Sequence, residues 1–150
     1  MTQHKILLFG AGKSATVLID YLINEAELNN WQVIVADADL QLALMKTKNR
    51  KFSDAIQLDI NDHSKRKELI SGSDIVISMM PPALHILIAN DCIEFGKSLL
   101  TASYADDAIK SLENAVKEKG IKYKIRITQH INNLINSTDV NLNKNVRLGL

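Results

Sequence analysis

The stretch Lys5-Ile-Leu-Leu-Phe9-Gly10-Ala11-Gly12-Lys13-Ser14-Ala15 decides how the rest of the chain is read. Lys5 to Phe9 is a short apolar run stopped by glycine, the signature of a buried strand. Gly10 to Ala15 has the G-x-G-x-x-[GA] spacing, and a helical pattern follows directly. Each position has a physical task. Gly10 permits a tight turn, and Gly12 lacks a Cβ, so a pyrophosphate can approach the backbone. Ala15 is small enough for the helix to rest on the strand. Free N–H groups at Lys13, Ser14 and Ala15 are expected to point at the phosphates, aided by the helix dipole. Ser14 can add a hydroxyl donor, and Lys13 adds diffuse positive charge. The ending Gly12-Lys13-Ser14 also resembles a P-loop. That motif needs a glycine five residues before Gly12, where Leu7 stands inside the strand, so it is excluded.

Outward from this turn, strand and helix patterns alternate. The spacing predicts a helix from Ser14 to about Asn24, with Val17, Leu18, Tyr21 and Leu22 facing the sheet and Asn29-Asn30 as its breaker. A second strand covers Gln32 to Ala36, and a helix from Asp39 to about Lys48 turns Leu40, Leu44 and Met45 inward. Ala55 to Leu58, Ile75 to Ser78 and Ser98 to Thr101 read as strands three to five. Helices are expected over Ser64 to Ile70, Ala83 to Phe95 and Asp106 to Lys119, and a sixth strand over Lys122 to Ile127. A βαβ alternation with apolar strands calls for an α/β fold: a doubly wound parallel sheet of the Rossmann type, in three layers.

Residues 1–128 read as one domain, and 129–150 as a divergent tail rich in asparagine, with a short helix possible from His130 to Ile135. The chain has 150 residues, 46% apolar and 23% charged, with a net charge of +1. That balance fits one water-soluble domain and disfavours a nucleic-acid partner. Cys92 is the only cysteine, which excludes an intrachain disulfide and a cysteine metal cluster. No metal site is expected. No apolar run approaches the roughly 18 residues of a membrane span, and no secretory leader is recognisable, so the expected location is cytoplasmic. The sequon Asn136-Ser137-Thr138 then has no consequence.

Asp37, at the tip of strand two, stands where a carboxylate accepts the ribose hydroxyls of NAD. A 2′-phosphate there would meet like charge, and Ala38-Asp39 supplies no arginine, so the expectation is NAD rather than NADP. Asp39 reads as the N-cap of the next helix. Asp59, after strand three, is a candidate for the adenine side. Ser78, Met79 and Pro81, leaving strand four, are candidates for the nicotinamide ribose.

Ile75-Val-Ile-Ser-Met-Met-Pro81, His85 and Gly96-Lys-Ser-Leu-Leu-Thr101-Ala-Ser103-Tyr104 together resemble the saccharopine dehydrogenase/reductase family in its N-terminal NAD(P)-binding domain, over about Lys5 to Ile121. One departure is Pro82, where the family's pattern is often aromatic. The resemblance implies an oxidoreductase of lysine metabolism, transferring hydride at a secondary amine carbon. It places Ser103, Tyr104 and His85 near an amino-acid-derived substrate. After strand six the likeness stops, and the family's Gly-x-Asp-Pro-Gly-x-Asp-His segment and substrate domain find no match. The expectation is therefore a shortened or frame-shifted product, weakly active or inactive alone. A stand-alone NAD-binding regulatory or sensor module is the other reading. Self-association to cover surface that a substrate domain would hide is a further expectation. Substrate identity and reaction direction are not legible in the sequence.

Overall fold

The computed structural model describes residues 2–101 together with residues 107, 111 and 112. Five strands lie in one sheet: β1 (His4–Phe9), β2 (Trp31–Asp37), β3 (Ser53–Gln57), β4 (Ile75–Ser78) and β5 (Ser98–Thr101). All neighbours run parallel, in the order β3-β2-β1-β4-β5. Four helices connect them: α1 (Thr16–Asn29), α2 (Leu40–Thr47), α3 (His63–Ser71) and α4 (His85–Phe95).

Strand alternation divides the core into two halves. Ile6, Leu8, Val33, Val35, Ile75, Ile77 and Leu100 pack with α1 and Ala43 of α2. Leu7, Phe9, Ala36, Val76 and Leu99 point the other way, onto Ile70 of α3 and Ile88, Ala89 and Cys92 of α4. Successive residues alternate across a strand, so near-continuous apolar strands must be covered on both faces. The chain progresses from β1 outward to β3, then returns to β4 beside β1. With right-handed crossovers, that reversal sends the two helix pairs to opposite faces. Three layers result, as the sequence predicts.

Local chemistry sets the element ends. The Asp39 carboxylate accepts the N–H groups of Gln41 and Leu42 and caps α2, and Asp62 accepts Lys65 N–H and caps α3. Asn30 ends α1 and Gly96 ends α4 in left-handed conformations. The α1 helix runs past the expected Asn24 to Asn29, because Glu25-Ala-Glu-Leu28 contains good helix formers. A 3-10 turn, Lys13–Ala15, precedes it.

Two helix faces differ from the expected ones. In α1 the buried stripe is Leu18, Ile19, Leu22, Ile23 and Ala26, while Val17 is 68% exposed. In α2, Ala43 and Thr47 are buried and Met45 points to solvent. Apolar residues fill several adjacent positions in both segments. Periodicity then specifies the period of the stripe, and packing chooses its phase.

The helix expected from Asp106 is represented by Asp107, Ser111 and Leu112, all helical, with Leu112 against the α3/α4 half of the core. The expected sixth strand, the short helix after His130 and the tail at 129–150 lie outside the described residues. Among the described residues, no helix is long and apolar enough to cross a membrane.

Candidate functional site

In a doubly wound sheet the ligand crevice opens at the carboxyl ends of the strands where the strand order reverses. Here that place lies between β1 and β4, whose last residues, Phe9 and Ser78, are register partners. The chain bends from β1 toward α1 at Gly10, Ala11 and Gly12, and the two glycines answer to different needs.

Gly10 has φ +95°, in the region that favours glycine. A Cβ there would lie 3.2 Å from the Met79 carbonyl carbon and oxygen and 3.3 Å from Met80 Sδ. Gly10 therefore serves the protein's own packing against the chain leaving β4. Gly12 has φ −64° and ψ 180°, a conformation any residue adopts, and a Cβ there would meet nothing within 4 Å. No protein contact explains the missing side chain at Gly12.

The N–H groups around this bend are unevenly used. Gly10 N–H donates to the Ala36 carbonyl at 2.9 Å, and Ala11 N–H donates to Asp37 Oδ2 at 2.7 Å. Ala15 N–H closes the 3-10 turn on the Gly12 carbonyl at 3.1 Å, so it does not face the crevice as expected. Those of Gly12, Lys13 and Ser14 have no partner among the described residues, and all three residues are exposed. Three unsatisfied donors at the start of a helix, beneath an open space, form an anion cradle. Ala15 is buried in the core, which brings α1 close to β1.

Asp37 is adjacent to the turn, as the sequence predicts, but its carboxylate is engaged by the fold. Oδ2 accepts Ala11 N–H, and Oδ1 accepts Asp39 N–H at 2.9 Å. Asp59, exposed beyond β3, accepts both the backbone and the side-chain N–H of Asn61 through Oδ1, closing its own loop. The side chain of Ser78 is fully buried, so it offers a ligand at the strand end no hydroxyl. It shares a 2.9 Å hydrogen bond with Nδ1 of His85, itself only 3% exposed. Met79 is half-buried, with its N–H on the Phe9 carbonyl at 2.8 Å, and Pro81 is exposed. Ser103 and Tyr104 lie outside the described residues.

Four participants escape a reading of the sequence. Ala11 supplies the donor that ties the glycine turn to β2, and Met80 abuts Gly10. Arg66 and Asp91 form a buried ion pair at 2.6 Å between α3 and α4, and Arg66 also donates to the Ile60 carbonyl. The signals were present: Arg66 shares a helix face with Ile70, and Asp91 interrupts the apolar face containing Ile88 and Cys92. Burial pushes the Cys92 thiol up to about 12, and the Asp91 charge adds to the effect. That cysteine is not poised as a nucleophile. Among the described residues, no group of three His, Cys, Asp or Glu side chains could hold a metal ion.

A parallel sheet with this order and an open phosphate cradle at the first βα turn define a nucleotide-binding Rossmann domain. Residues 6–123 match the sequence model of the saccharopine dehydrogenase NADP binding domain. The chain belongs to that family. It is 32% identical over 115 residues to saccharopine dehydrogenase [NADP(+), L-glutamate-forming] of Schizosaccharomyces pombe, covering 77% of this chain and 25% of that protein. To the alpha-aminoadipic semialdehyde synthase of Arabidopsis thaliana it is 29% identical over 133 residues, covering 77% of this chain and 12% of that protein. The solved apo saccharopine dehydrogenase (L-Glu forming) of Saccharomyces cerevisiae superimposes with a TM-score of 0.70 at 30% identity, over 80% of this chain and 26% of that one. The chain thus spans only about an eighth to a quarter of the length of these relatives.

The family overturns the expectation of NAD: this is an NADP-binding domain. The inference from Asp37 treated its charge as aimed at the ribose. In the structure both carboxylate oxygens already accept backbone N–H groups, so the residue's first task is to brace the turn.

Proposed function

We propose that this chain holds NADP(H) for a saccharopine dehydrogenase-type oxidoreductase of lysine metabolism. The bound nicotinamide would supply the hydride acceptor or donor for a secondary amine carbon. The observation that carries this reading is Gly12: an absent side chain that no protein contact demands, over three unpartnered N–H groups. Those donors fit a pyrophosphate, and Lys13 adds positive charge at the rim. Asp37 keeps Ala11 in place below them. The segment Met79 to Pro82 walls the β4 side of the crevice, where the nicotinamide half belongs.

Hydride transfer also needs a substrate held over the nicotinamide with water excluded. The relatives named above extend well beyond the region matched here, and we assign most of the substrate cleft, for an amino-acid-derived substrate, to that remainder. Residues 1–150 alone should therefore bind the dinucleotide while turning over saccharopine slowly or not at all. The test is a thermal melt with NADPH, NADH or neither, followed by saccharopine with NADP+ and absorbance at 340 nm. A greater upward shift with NADPH than with NADH is expected. Equal melting in all three conditions would count against the proposal. NADPH binding that persists with no turnover, even alongside a complete relative's substrate domain, would favour the sensor reading.

A further inference from the structure

The segment between β4 and α4 is tied to β1 by its backbone at the start and to Ser78 by a side chain at the end. At its start, Met79 N–H reaches the Phe9 carbonyl at 2.8 Å, continuing the β1–β4 ladder. The chain then passes through Met80, Pro81 and Pro82 into a 3-10 turn, Pro82–Leu84, closed by Leu84 N–H on the Pro81 carbonyl at 2.9 Å. His85 opens α4 and reaches back to Ser78, so one side-chain hydrogen bond of 2.9 Å spans the base of the whole loop.

Ser78 is two residues after Val76 and points to the same face of the sheet, into the half of the core formed by Leu7, Phe9, Ile88 and Ala89. Two polar side chains buried there forfeit hydration, and an apolar pair would join strand to helix without that cost. Their hydrogen bond buys direction: it relates the last residue of the strand to the first of the helix. The loop so defined lies against the phosphate turn. The Met79 carbonyl and Met80 Sδ approach within 3.3 Å of where a Gly10 side chain would begin. Asp37 marks the β2 side of the crevice, where the adenosine half of a dinucleotide lies, and the β4 side receives the nicotinamide half.

We propose that Ser78 and His85 form a positioning pair that sets the Met79–Pro82 wall for the nicotinamide half of the bound dinucleotide, leaving the adenosine half unaffected. The proposal rests on the dinucleotide-binding reading above. Neither side chain touches the ligand; both act through the backbone of the loop.

The experiment measures binding of NADPH and of 2′,5′-ADP, which lacks the nicotinamide half, to the full chain and to Ser78→Ala, His85→Ala and His85→Asn. The Asn amide can take the place of Nδ1 toward Ser78. A parent chain that binds NADPH at least tenfold more tightly than 2′,5′-ADP satisfies the premise. The two Ala variants should then lose about tenfold in NADPH affinity and less than twofold for 2′,5′-ADP, with His85→Asn restoring most of the loss. Equal losses for both ligands would reduce the pair to a structural role and overturn the proposal, as would undiminished NADPH binding. Should the Ala variants fail to fold, Ser78→Cys and His85→Phe, which keep most of the side-chain bulk but lose the strong hydrogen bond, are read by the same ratio of affinities, and an unchanged ratio in both overturns it. A parent that binds neither ligand defeats the dinucleotide reading itself. A parent that binds both equally defeats only this proposal.

Discussion

Replacing the two glycines of the turn separates what the protein needs from what the ligand needs. Gly12 has a backbone conformation open to every residue, and a methyl group added there meets no atom within 4 Å. Gly12→Ala should therefore leave the ligand-free chain as stable as the parent, or more stable by about 0.4–1 kcal/mol through a less flexible unfolded state. Gly10→Ala meets a φ of +95° and a Met79 backbone 3.2 Å away. Backbone strain of that kind costs about 1–3 kcal/mol before any clash is counted. With NADPH the order changes. At 100 times its dissociation constant the ligand stabilises the parent by about 2.7 kcal/mol, which is roughly 5–10 °C in a chain of this size. The new methyl of Gly12→Ala occupies the approach to the N–H groups of Gly12, Lys13 and Ser14. It should weaken NADPH by at least about tenfold, or 1.4 kcal/mol, and shrink the shift accordingly. Differential scanning fluorimetry with and without NADPH measures all four quantities. A Gly12→Ala chain that melts as low as Gly10→Ala without ligand, or one that keeps the whole NADPH shift, would mean that Gly12 faces protein and not phosphate.

Breaking the buried Arg66–Asp91 pair by Arg66→Ala should lower stability by about 3–5 kcal/mol in urea unfolding, since it leaves a buried charge without a partner. The double variant Arg66→Met with Asp91→Leu should recover most of that loss; if it does not, the pair does more than neutralise its own burial. Cys92 should resist iodoacetamide in the native chain at pH 8 and react quickly after denaturation. Its folded value, about 12, lies above the ordinary 9.0. Between those two values the unfolded thiol ionises while the folded one does not. Stability from the buried neutral thiol is thus complete below about pH 9 and falls as pH rises through this window. Urea midpoints of Cys92→Ala and the parent should converge across it, and a gap that widens with pH would contradict the burial of the thiol.

Strand β4 and strand β5 stand where the residue pattern placed them, and the glycine turn sits between the first strand and first helix as read. These features are local. An apolar tetrapeptide between breakers, a G-x-G-x-x-A spacing and a capping aspartate each act over no more than six residues, so their physics is visible in the chain itself. The phases of α1 and α2 were not visible, because Val17 and Met45 each stand beside apolar neighbours that serve equally well. The short 3-10 turns before α1 and α4 were read as parts of those helices for the same reason: the pattern marks apolar spacing and not hydrogen-bond partners.

By itself, then, the sequence determined the fold class, the βα turn that would cradle phosphate and the family whose second-half pattern this chain shares. Only the tertiary structure decided what the charged and polar residues around that turn do. Asp37 gives its two oxygens to Ala11, 26 residues away, and to Asp39, so a residue read as a cofactor selector braces the turn. His85 passes from a candidate near substrate to a buried partner of Ser78. The reason is the range of the interactions. Backbone conformation and capping follow from neighbours in the chain, whereas a side chain's partner is set by which strands the sheet brings side by side.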